Sequence, residues 1–188
     1  MSRGKLFLYP VFRMQYLYVF MFYAITVTQF TKMLQNLSKI LAKAAVEAEN
    51  RKVDFSVYLN SRLAPDQFNL IRQIQIACDT AKMCAVRLTG KEAPVHEDTE
   101  KTLGELQERI QKVVTFLAGF KEDDYKDSAT IKVSQPRWEG KYLTGTEFAI
   151  QHAIPNMYFH IATAYSILRH NGITIGKKDY LGEMPYKT

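Results

Sequence analysis

Four stretches of this chain carry apolar residues at helical spacing, and that repeated pattern limits the fold more than any other feature. In the first, about 28–50, Phe30, Met33, Leu34, Leu37, Ile40, Leu41, Ala44, Ala45 and Ala48 recur at i, i+3, i+4 and i+7, so one stripe faces a core. Lys32, Lys39, Lys43, Glu47 and Glu49 occupy its other faces. In the second, Ile71, Ile74, Cys78, Ala81, Ala85 and Leu88 keep a spacing near 3.5; Pro65 suits its first turn and Gly90 its C-terminal stop. The third, about 98–120, carries Leu103, Leu106, Ile110, Val113, Val114 and Leu117, with Asp98 or Thr99 as its expected N-cap. Thr144-Gly145-Thr146-Glu147 reads as a capping box that opens the fourth, about 146–170, and Asn171-Gly172 closes it. Pro155 inside the fourth predicts a kink or a local loosening of its hydrogen bonds.

The linking segments are short, and one of them changes period. Ile131-Lys132-Val133 and Lys141-Tyr142-Leu143 alternate in steps of two around a turn, which predicts a hairpin anchored by Trp138 and Tyr142. Residues 53–62 read as a connector with a short turn of helix, and residues 173–188 as a polar surface tail. The expected architecture is therefore all-α: a four-helix bundle, with a small β-hairpin between the third and fourth helices.

With 188 residues, the chain is long enough for one domain with a real core. Residues 1–20 stand apart: they hold Arg3, Lys5 and Arg13 and no acid. A targeting signal and an extension upstream of a start at Met21 or Met14 are the competing readings, and the extension is preferred. The domain is accordingly placed at 21–188. The apolar run from Tyr16 to Ile25 is shorter than the ~20 residues that a membrane span needs. The net charge of +6 falls to +3 without the first twenty residues, too weak and dispersed for nucleic acid. Cys78 and Cys84, six apart on one helix, point to different faces and read as small buried side chains in a reducing cytoplasm.

Phosphate loops, zinc-protease helices, Cys-x-x-Cys pairs and nucleophile elbows are absent from the sequence. What remains is a polar line on the fourth helix, His152, Asn156, His160 and Thr163, in steps of four and three that share one face. Arg72, Gln75 and Asp79 form a matching set on the second helix, and Glu105 on the third is a weaker candidate. Facing polar groups in a bundle core hold either a cation or each other. Pairing of Asp79 with His160 or Arg72 is the favoured reading. His96 and His170 read as exposed.

Asn60-Ser61-Arg62-Leu63-Ala64-Pro65-Asp66, Arg72-Gln73-Ile74-Gln75-Ile76-Ala77-Cys78-Asp79 and Pro155-Asn156-Met157-Tyr158-Phe159-His160 carry a family resemblance. So do Ala164-Tyr165, Ile167-Leu168-Arg169-His170-Asn171-Gly172 and Gly176-Lys177-Lys178-Asp179-Tyr180-Leu181-Gly182. Together they resemble a bacterial branch of the DinB/YfiT-like superfamily, the domain of unknown function nineteen ninety-three, over about 21–183. The resemblance implies a four-helix bundle, often a homodimer. It also implies a metalloenzyme ancestry, with three histidines around the ion and, in some members, thiol-dependent transfer or isomerisation.

Carried over residue by residue, that ligand set is incomplete. The pair on the last helix becomes Asn156-x-x-x-His160, and the second-helix position falls at Gln75 or Asp79. The metal candidates are thus His160, Asn156, Asp79 and Gln75, a degenerate set suited to a harder divalent ion or to none. Three functions follow as expectations: a small-molecule-binding or stress-related protein, a metal-dependent transferase or isomerase, and a dimeric scaffold. An enzyme predicts an open pocket at His160. A decayed site predicts direct bonds among Asp79, Asn156 and His160, and a scaffold predicts a pocket filled by Phe159 and Tyr158.

Overall fold

A computed structural model describes residues 19–187, so most of the segment 1–20 lies outside the described residues. The chain is already helical at Val19, passes through a π-helical stretch at Ala24–Thr28, and continues as α1, Gln29–Asn50. A short α2, Phe55–Asn60, leads to α3, Leu70–Thr89. Then come α4, Leu103–Leu117; strands β1, Lys132–Val133, and β2, Leu143–Thr144; α5, Ile154–His170; and α6, Lys177–Leu181. Helices α1, α3, α4 and α5 form the bundle, with α3 packed against both α4 and α5. The fold is the expected helical bundle with a hairpin.

The stripes account for the core. All nine predicted positions of α1 except half-buried Ala45 are buried, as are Ile74, Cys78, Ala81, Ala85 and Leu88 on α3 and Leu106, Ile110, Val113 and Leu117 on α4. Both cysteines are free and buried. Loss of hydration pushes the Cys78 thiol up to about 12, so it stays protonated and unreactive.

Several boundaries differ from the expectation. Pro65 does not open α3. Asn69 does, its side chain accepting from the backbone N–H of Arg72, because a carboxamide there satisfies a free helix donor and proline cannot. The third helix starts later than Asp98, at a Thr102–Glu105 capping box. Asp98 instead faces Arg72 and Arg109. Gly90 ends α3 in the left-handed region at φ +73.

The hairpin is smaller than predicted, with Lys132 opposite Thr144 and Val133 opposite Leu143. Trp138 packs against the core, whereas Tyr142 is 53% exposed and lies under the Lys132 ammonium, so it is no anchor. The tail is not wholly superficial either: Ile173 and Ile175 are buried, and α6 packs on α1.

The Thr144–Glu147 capping box forms as read, and Gly145–Glu147 makes the first turn of the last helical segment. Phe148–Ala153 then runs as π-helix before α5, with Pro155 in the first turn of α5. Proline lacks an N–H and crowds the carbonyl four residues back; the wider π turns upstream relieve both.

Candidate functional site

A cleft of about 620 Å³ opens to solvent between α3 and the last helical segment. The loop before α4 (93–96) and the hairpin turn form its remaining walls. This is the size range of small-ligand sites. Asp79, Asn156 and His160 all line it, and so do His96 and His152.

At its floor, Gln73 fixes the state of His160. The Gln73 amide Nε2 donates to the carbonyl of Phe68 at 3.1 Å, which leaves Oε1 facing Nδ1 of His160 at 2.6 Å. An amide oxygen only accepts, so Nδ1 carries the proton and Nε2 keeps its lone pair. Burial, with the charge of Arg72 adding to it, lowers the His160 pKa to about 4. The imidazole is therefore neutral at physiological pH.

One helical turn away, Asn156 Nδ2 donates to Thr80 Oγ1 at 2.7 Å. Asp79, although it lines the cleft, pairs with Arg109 of α4 at 2.9 Å and with Lys82 at 3.1 Å. The expected pairs of Asp79 with His160 or Arg72 do not form; Arg72 meets Asp98 and donates to Gln75 Oε1 at 3.2 Å. Gln75 donates in turn to Glu100 at 2.9 Å and does not line the cleft. Thr163 is buried on α5, and Glu105 is spent on its capping box. Phe159, which a scaffold would have filling the pocket, is 54% exposed and does not line it. His170 is exposed as expected, but His96 is half-buried with Nδ1 3.2 Å from the Lys82 ammonium.

Buried Arg109 organises this end of the bundle, bonding Asp79, Glu100, Asp98 and the carbonyl of Glu97. Burial opposes its charge, yet Asp79 and Glu100 outweigh that and raise its pKa. Single-helix periodicity does not announce Gln73, Thr80 or Arg109. The one available signal is an arginine set directly beside the Leu106–Ile110 stripe.

The donors present do not fit a three-ligand transition-metal site. Asp79 is committed to two cations, and Asn156 offers an amide oxygen. Lys82, Arg87 and Arg137 line the same cleft. Among the described residues, no group of three His, Cys, Asp or Glu side chains could hold a metal ion. No described helix is long and apolar enough to cross a membrane.

Comparison with known proteins agrees with this fold. The family described as "Domain of unknown function (DUF1993)" matches residues 22–181. A crystal structure of a DinB family member protein from Shewanella denitrificans is 63% identical, covering 92% of this chain and 98% of that one, with a TM-score of 0.90. No curated protein matches. The chain thus belongs to the DUF1993 family and is a DinB-like helical bundle.

Proposed function

We propose that this protein binds a small organic molecule in the cleft between α3 and the last helix, with His160 and Asn156 as orienting groups. The observation that carries this reading is the open 620 Å³ cleft itself, whose floor polar groups are held by Gln73 and Thr80 rather than by one another. A pocket bonded shut across Asp79, Asn156 and His160 would have had no room for a ligand. Side chains fixed by their neighbours meet a ligand without further ordering, which favours binding. A metal-dependent enzyme is the second reading. It shares the open pocket at His160 and adds the unprotonated Nε2 of that residue, backed at Nδ1 by Gln73 as a ligating imidazole would be.

Thermal denaturation of the tag-free protein separates the two readings. Met83, half-buried on the cleft wall, is replaced by Trp to fill the space. Neutral, anionic and cationic fragments are tested beside zinc and nickel. Under the ligand reading, one fragment class raises Tm in the native protein and not in Met83→Trp, and neither metal moves it. A shift with stoichiometric zinc or nickel that disappears in His160→Ala supports the enzyme instead. Failure of every fragment defeats the ligand reading.

A further inference from the structure

The hairpin end of the cleft holds more hydrogen-bond donors than acceptors. Arg87, Gln135, Arg137 and His152 all line it. The guanidinium of Arg137 lies 3.0 Å from Nε2 of His152. Guanidinium only donates, so Nε2 accepts and the His152 proton sits on Nδ1. That Nδ1–H is buried without a hydrogen-bond partner among the described residues. The amide Nε2 of Gln135 is buried without one too. Unmatched buried donors are uncommon in folded proteins, and both of these belong to residues that line the cleft.

Charge gives the same answer independently. Neither Arg87 nor Arg137 pairs with a carboxylate among the described residues. Among the described residues, the one carboxylate lining the cleft, Asp79, is committed to Arg109 and Lys82. Burial, then the nearby charge of Arg137, lowers the Arg87 pKa. Burial, then Arg137 and Arg87, lowers that of His152. Arg87, Arg137 and His152 thus repel additional positive charge at one another, in a partly desolvated place. Such an arrangement repels a metal ion and attracts an anion.

The imidazole is also held in position: His152 stacks on Phe148 with centroids 5.4 Å apart and meets the edge of Trp138 at 5.5 Å. The Arg87 guanidinium lies over the same Phe148 ring, with its carbon 5.7 Å from the centroid.

We propose that Arg87, Gln135, Arg137 and His152 form an oxyanion subsite that binds the carboxylate or phosphate of the cleft's ligand. The subsite rests on the ligand-binding reading above and narrows it to a small anionic molecule. Guanidinium forks match both oxyanions, and the Gln135 and His152 side chains form the polar wall beside them. The body of the ligand then extends along α3 toward Asn156 and His160.

Trp138 is the sole tryptophan and touches His152, so its fluorescence reports binding. Benzoate, phenyl phosphate, benzyl alcohol and benzylamine are titrated at low salt into the native protein, Arg87→Gln and Arg137→Gln. Benzoate or phenyl phosphate is expected to bind at least tenfold more tightly than benzyl alcohol, and benzylamine more weakly still. Whichever oxyanion wins names the group. Either glutamine variant should remove most of that preference while keeping or raising Tm, because each relieves like-charge repulsion. Benzyl alcohol binding as well as the anions overturns the subsite and leaves the cleft reading standing. An anion preference that survives in both variants also overturns it. So does its loss together with a fall of Tm by many degrees in both variants, which marks the arginines as structural. Absence of any fluorescence response, with no compound shifting the Tm of the native protein, overturns the subsite and the cleft reading together.

Discussion

Gln73 of α3 accepts the Nδ1 proton of His160 on α5 at 2.6 Å, the shortest link between the two helices that wall the cleft. Both side chains are buried, Gln73 at 1% exposure and His160 at 7%. The neutral imidazole is therefore part of what holds the bundle together. Replacing His160 by Ala strands the Gln73 amide and is expected to cost about 1–3 kcal/mol in urea unfolding. His160→Gln, which can still reach an amide, is expected to lose less.

The same histidine makes stability depend on pH in a definite direction. Its folded pKa, about 4, lies below the ~6.5 of an unfolded histidine. Between those values the unfolded chain binds more protons, so stability rises with pH. The contribution is complete above about pH 6.5. It drains away as pH falls toward 4, for a total on the order of 3 kcal/mol. His96 and His152 are lowered as well and act with the same sign. Melting temperature measured from pH 7.5 to pH 4 should fall, and the slope should be shallower in His160→Gln. An unchanged slope in that variant would show that His160 titrates normally.

Arg109 should be the most sensitive charged residue of the bundle. Its side chain, 2% exposed, meets Asp79 and Glu100 at 2.9 Å each and Asp98 at 3.3 Å. Arg109→Met leaves these carboxylates without their shared partner and frees the loop before α4. Breaking a fully buried pair costs about 3–5 kcal/mol; two of these acids are a third exposed, so about 2–4 kcal/mol is expected. Arg109→Lys should recover only part of the loss, because an ammonium cannot present a fork to several carboxylates. Chemical denaturation of both variants tests the order.

Gly145 leaves no space for a side chain. A Cβ built there would sit 1.7 Å from the carbonyl oxygen of Ser128, which is backbone and cannot swing aside. Gly145→Ala should force the hairpin end away from the last helix, at a cost of about 1–3 kcal/mol. The displaced turn carries Gln135 and Arg137, so the cleft mouth should change with it. Trp138 fluorescence beside thermal unfolding shows both effects, and a Gly145→Ala variant of native stability and spectrum would contradict the packing described.

How far the sequence reaches is clear from particular residues. Phe30 to Ala48, Ile74 to Leu88 and Leu106 to Leu117 announce their buried faces because burial imposes a period on each helix separately. Thr144 and Glu147 announce a helix start because capping is local. Partners across helices obey no such rule. Whether His160 meets Gln73 or Asp79 depends on how α3 and α5 are rotated about their axes. A difference of six positions along α3 is a rotation of well over a full turn. Asp79 consequently reaches Arg109 of α4 rather than His160, which no pattern within α3 or α5 could reveal. Arg137 is hidden for another reason: it sits in a turn, and only the folding of that turn over α3 brings it to the cleft.

The start of α3 offers a direct comparison of two local signals that compete in the sequence. Pro65 suits a first helical turn, yet the helix opens at Leu70, where Asn69 accepts from the Arg72 N–H at 3.1 Å. The residues between are held by turns, with Gln67 N–H bonded to Ala64 and Leu70 N–H to Ser61. Asn69→Ala removes the one side-chain acceptor at the helix end and should destabilise by about 1 kcal/mol, whereas Asn69→Asp or Asn69→Ser should be nearly silent. Pro65→Ala should change stability by about 0.5 kcal/mol or less, since a proline outside the helix contributes through the unfolded chain and not through a cap. Urea unfolding of the four variants gives the order. A loss at Pro65 exceeding that at Asn69 would move the helix start back to the proline, and with it the loop that carries Phe68 against Gln73.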